Sequence, residues 1–142
     1  MAEILVTSPV IQKTRPTGVW ILTIYAMIFA GIAPVLLSLF LLASGNAAGN
    51  VAGILFSLPV SIGVIASAIG AWKGKDNARK SLIFLVTLYY VLLAINNFIL
   101  INSGQAPDEQ LARLWGRVLR GFINPAIYIW YFTKTTTRDF YN

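Results

Sequence analysis

Arg113, Arg117, Arg120 and Asn124 recur at intervals of four, three and four, which puts them in one row along a helix. Guanidinium groups in a row suit anions, because each is permanently charged and offers planar donors that match phosphate or carboxylate. Leu111, Leu114, Trp115, Val118, Leu119 and Phe122 form an apolar face beside that row, the pattern of an amphipathic helix. Asp108 after Pro107 provides its start, since an acid in the first turn suits the helix dipole. The sequence therefore predicts an interfacial helix over 108–120. Its arginines either snorkel to lipid phosphates or form a face for an anion, a lipid headgroup or a partner's acidic residues. An arginine at mid-membrane costs at least about 2.5 kcal/mol, so Arg120 is expected near the surface or against protein.

Asn96, Asn97 and Asn124 are the amides expected at membrane depth. Hydrogen bonds between helices contribute about 0.6–2 kcal/mol in lipid. Asn96 or Asn97 reaching Asn124 or Arg120 would tie two spans together, or the same groups would line a hydrated path. The missing residues matter as much. The chain has no cysteine and no histidine, which excludes disulfides, Cys/His zinc sites and His-ligated haem. No carboxylate lies inside an apolar run, so a proton-coupled carrier lacks an acceptor. No phosphate loop, nucleophile motif or metal cluster appears. No catalytic residue, metal site or cofactor is expected, and no enzymatic activity.

The elements that carry these residues follow from charge and hydropathy. From Pro16 to Trp72, 57 residues pass without one Asp, Glu, Lys or Arg. One helical span needs about 20 apolar residues, so this run crosses a bilayer twice, turning at Ser44–Asn50. Only 11% of the chain is charged, against about 25% in soluble domains. Spans are expected at 18–43, 51–72, 81–101 and 118–133. With short connections they form an all-α, single-domain bundle of four transmembrane helices, up-down-up-down.

Lys13 and Arg15, then Lys73, Lys75, Arg79 and Lys80, then Lys134 and Arg138 fall on one side of that bundle. Basic loops mark the cytoplasm, so both termini are expected inside a bacterial plasma membrane. On a soluble protein the net charge of +6 would suggest nucleic acid; at the ends of apolar runs it marks topology, and no nucleic-acid partner is expected. Trp20, Trp72 and Trp130 belong to the cytoplasmic interface and Trp115 to the other. The first fifteen residues read as an extended or interfacial arm.

Small residues mark the packing faces. Gly53, Ser57 and Ser61 form one row of span two, and Gly63, Ser67 and Ala71 a second. Ala26, Ala30, Pro34 and Ser38 match them in span one. Such rows let helix backbones approach closely in lipid. Pro34, Pro59 and Pro125 each remove a backbone donor inside a span, and Ser38, Ser57 and Ser61 are placed to satisfy the freed carbonyls.

The start of span one, Arg15-Pro16-Thr17-Gly18-Val19, resembles the R-P-x-G-V opening of small, uncharacterised four-span bacterial membrane proteins. The resemblance covers the first span and implies a cytoplasmic basic anchor; it carries over no residue role. The expected function is that of a non-catalytic accessory or structural subunit, packed against other membrane subunits or against copies of itself, with membrane lipids around it. The alternatives are a small oligomeric channel or carrier for an anion or lipid, and a lipid-sensing or membrane-shaping protein.

Overall fold

The computed structural model describes residues 16–45, 51–104 and 107–141. The N-terminal arm with Lys13 and Arg15, and the centre of the first hairpin turn, lie outside the described residues. All regular structure among those described is helical: α1 Thr17–Ala43, α2 Val51–Trp72, α3 Asp76–Asn102, α4 Asp108–Thr133 and a short α5 Thr135–Tyr141. Three of these, α1, α2 and α3, are long and apolar enough to cross a membrane. The chain is membrane-embedded. Its outward face agrees, with Phe40, Phe56 and Phe84 each about two-thirds exposed, which water would not tolerate over so wide an area.

α3 begins at Asp76 rather than near 81 because the acid there pairs with Arg79 and Lys80, one turn ahead, and favours the helix N-terminus. The stretches 108–120 and 118–133 are one unbroken helix. Their apolar patterns share a phase: Leu114, Val118, Gly121, Pro125, Tyr128 and Phe132 are all buried, at four- and three-residue steps along one stripe.

Consecutive helices are antiparallel neighbours, with the densest contact between α3 and α4 and the next between α1 and α2. We call the end that holds Thr17, Trp72, Asp76 and Thr133 proximal, and the end that holds Ala43, Asn102 and Asp108 distal. At the α2 terminus Gly74 takes a φ of +78°, open to glycine at no steric cost. Lys75 N–H then reaches the Gly70 carbonyl at 3.1 Å and Gly74 N–H the Ala71 carbonyl at 3.0 Å, a double cap that stops the helix.

Small residues set the helix separations. A Cβ on Gly31 of α1 would stand 2.6 Å from Ile65 of α2. Gly63 and Gly70 of α2 hold Leu85 and Ala78 of α3 just as closely, at 2.9 and 2.5 Å. Gly121 of α4 is the tightest such point on α3: its Cβ would overlap Ala94 and come 2.9 Å from the Tyr90 carbonyl.

Within α1, Met27–Ile32 is a π-helical turn, in which Ala33 N–H reaches back five residues to Ile28. Pro34 follows directly, and its missing N–H and its ring both disfavour a tight α-ladder at that point. The wide turn has a second effect. Residues four apart drift about 40° round a regular helix at each step. The π turn takes up that drift, so Ala26, Ala30 and Ser38 are all buried on the side that meets α2.

The glycines give a paired prediction. Gly121→Ala should destabilise the protein by about 1–3 kcal/mol through overpacking. Gly116→Ala, where a Cβ meets nothing within 4 Å, should stabilise it by about 0.5–1 kcal/mol. Thermal unfolding in detergent, followed by tryptophan fluorescence, checks both.

Candidate functional site

The proximal end holds a buried cation. Arg79, in the first turn of α3, is only 7% exposed. Its Nη1 donates to the Phe132 carbonyl at 2.7 Å and its Nη2 meets Asp76 Oδ1 at 2.5 Å. The guanidinium carbon lies 5.2 Å from the centre of the Tyr141 ring. Phe132 belongs to the last turn of α4, whose carbonyls have no partner within the helix, so Arg79 caps α4 from a neighbouring helix. Lys134 then adopts extended backbone, φ −60° and ψ 138°. That turn brings α5 back over the end of the bundle, with Phe140 on Gly74 and Tyr141 on Phe132, ring centres 6.4 Å apart. Lys80 holds the other Asp76 oxygen at 2.6 Å. Its hydrogen bond, with Arg79's charge adding to it, keeps the Asp76 carboxyl below the usual carboxylate range.

A second cluster lies at mid-depth between α1, α3 and α4. Tyr128 of α4 donates to the Leu22 carbonyl of α1 at 2.9 Å. The Tyr90 hydroxyl of α3 interacts with the Asn124 amide of α4 and with the Tyr25 hydroxyl of α1. Beneath them, Tyr131 of α4 fills the space over Gly18 of α1. These contacts join α1 to α4.

The residues singled out by sequence fall in several places. Arg113, Arg117 and Arg120 are exposed, and none forms an ion pair among the described residues. Trp115 is half exposed and meets Phe98 edge-on at 6.3 Å. Asn97 is buried but donates to the Leu93 carbonyl of its own helix at 2.6 Å. Asn124 lies opposite Tyr90, seven residues from Asn97 and so about 10 Å away along the axis, which is why the two amides do not meet. Asn96 faces outward. Asn96, Asn97, Asn124 and Arg120 are thus not gathered at one point within the chain.

Among the small residues, Ser57 Oγ lies 3.2 Å from Ser38 Oγ and also donates to Ile54. These hydroxyls serve each other and the local turn rather than a carbonyl freed by proline. Ser61 is fully buried, and its hydroxyl has no hydrogen-bond partner among the described residues. Gly63 contacts Leu85, Ser67 is buried, and a Cβ on Gly53 would meet nothing. Sequence reasoning missed Arg79, which reads as one more basic loop residue; its only distinguishing signal is the acid three positions earlier. It also missed Gly121 and Gly18.

Among the described residues no group of His, Cys, Asp or Glu is placed to hold a metal ion. The chain matches no family model, no curated protein and no solved structure.

Removing the Arg79 side chain takes the donor from Phe132's carbonyl and leaves Asp76 paired with Lys80 alone. Arg79→Met should cost about 1.5–3 kcal/mol, as for a lost charge-assisted hydrogen bond. The folded state depresses the Asp76 pKa, so its contribution is present above the ordinary carboxylate value and is lost as pH falls through the lowered one. Unfolding temperature measured from pH 7 down to 3 should fall more steeply in the native protein than in Asp76→Asn.

Proposed function

We propose that the chain is a four-span, non-catalytic membrane protein that acts as an accessory or structural subunit of a membrane complex, or as a homo-oligomer. The fourth span is α4. It runs antiparallel to α3 from the Trp115–Phe98 contact at the distal end to the Phe132–Arg79 bond at the proximal end. At 26 residues it is about 39 Å long, enough to cross a hydrocarbon core of about 30 Å. Lys73, Lys75, Lys80, Lys134 and Arg138 at the proximal end support a cytoplasmic location for that side.

One observation carries the reading as a subunit. On the outer face of α2 and α3, a groove of about 390 Å³ is lined by Gly53, Phe56, Ser57, Leu92 and Asn96. Gly53 has open space above it, and Asn96 presents its amide about 9 Å from the end of α3, inside the apolar zone. In lipid an uncovered amide gains by pairing with another helix, and an uncovered glycine lets that helix approach. Gly31, Gly63, Gly70 and Gly121, by contrast, are already covered by neighbouring helices.

Two expected outcomes follow. The native chain has no cysteine, so S103C and D139C can be labelled singly in intact vesicles. With α4 crossing, the two sites react from opposite sides; labelling from one side would leave three spans. In native mass spectrometry from a mild detergent, the wild type should run as a stoichiometric complex or homo-oligomer. Asn96→Leu should weaken its association by roughly 3- to 30-fold, matching about 0.6–2 kcal/mol. A monomer carrying only lipid would reject the assignment.

A further inference from the structure

The row Arg113, Arg117, Arg120 continues down α4 through Asn124, Tyr128 and Tyr131, at helical spacing. Its lower members identify what it faces. Tyr131 covers Gly18, Tyr128 bonds to Leu22, and Asn124 joins the cluster with Tyr25; Gly18, Leu22 and Tyr25 all belong to α1. The arginines therefore stand on the α1-facing edge of α4. Along its distal half, however, α1 leaves α4. Residues Thr17–Ala26 contact α4, whereas Ala33–Ala43 pack on α2. Above Tyr25 and Asn124, α1 therefore stands apart from α4, and we refer to the space between them as a crevice.

The two walls of that crevice differ in chemistry. On α4 they are three guanidiniums without an ion pair among the described residues. On α1 the edge above Tyr25 continues through Phe29, Ala33 and Leu37, with Phe29 52% and Leu37 60% exposed. Phe29 stacks on Tyr25, ring centres 4.6 Å apart. Phe29, Ala33 and Leu37 also wall a cleft of about 370 Å³ between α1, α2 and α3 that is floored by Ser57, Tyr89 and Leu93 and adjoins the α2–α3 groove. That volume lies within the roughly 300–1,000 Å³ of ligand pockets.

We infer that this crevice binds one anionic phospholipid of the distal leaflet, its phosphate held by Arg113, Arg117 and Arg120 and an acyl chain lying in the cleft along Phe29 and Leu37. The match is one of charge and of depth. Arg113 lies about 7 Å, Arg117 about 13 Å and Arg120 about 18 Å along α4 from its distal end. The first is at headgroup level, and the others reach upward toward it. Arginine recognises phosphate with paired donors, and a lipid brings its own apolar tail for the opposite wall.

The inference rests on α4 being a span, which the labelling of S103C and D139C decides independently. The test uses the full chain in nanodiscs of equal phosphatidylglycerol and phosphatidylcholine, released into native mass spectrometry. The wild type should retain one phosphatidylglycerol with about tenfold preference. R117Q/R120Q should lose that preference while keeping its unfolding temperature. Leu37→Trp, which fills the cleft and leaves the charges intact, should lower retention. Arg138→Gln, at the proximal end, should leave it unchanged. Equal retention of both lipids by the wild type, or an undiminished preference in R117Q/R120Q, would overturn the assignment. Displacement of the lipid by millimolar inorganic phosphate would assign the arginines to a free anion instead.

Discussion

Close approach of helix backbones is the constraint from which the rest of this fold derives. Lipid tails are as apolar as leucine, so burying leucine against leucine gains little, and contact distance decides how well helices hold together. Gly31, Gly63, Gly70 and Gly121 each sit where a methyl group would collide with the next helix. Once those distances are fixed, polar groups on adjacent helices come within bonding range. Tyr128 reaches a backbone carbonyl of α1, and Arg79 reaches one of α4. These bonds are consequences of packing, and each in turn closes one level of the bundle.

Much of the fold is legible in the sequence, because charge and hydropathy act over long stretches. The uncharged run from Pro16 to Trp72 places α1 and α2, and the row Ala26, Ala30, Ser38 is a contact face. The boundaries are less legible where local electrostatics extend a helix, as Asp76 does for α3. The continuity of 108–133 is hidden by a change of surroundings rather than of periodicity: the stripe from Leu114 to Phe132 keeps its phase while its flanks change from charged to apolar.

The candidate site is legible by residue type and not by arrangement. The arginine row can be read from its spacing, but the face it looks onto depends on Tyr128 and Tyr131 two turns further on. Asn97 and Asn124 read as partners because both are amides at depth. Their levels in neighbouring helices depend on how α3 and α4 are staggered, which no local pattern encodes. Arg79 was the least visible of all, since a buried arginine and a loop arginine look alike until Phe132 and Tyr141 are brought beside it.

The π turn of α1 has an effect on the shape of the whole bundle. Without it, the face of α1 that meets α2 would spiral away within a few turns, and the two helices would separate toward one end. With it, α1 follows α2 like a stave fastened along its full length. A set of staves fastened on one side and twisted against one another has to part on the opposite side. The gap between α1 and α4 is where this bundle parts, and a proline with a widened turn six residues long, on a helix that contributes no charge to the gap, determines which pair of helices opens to the lipid.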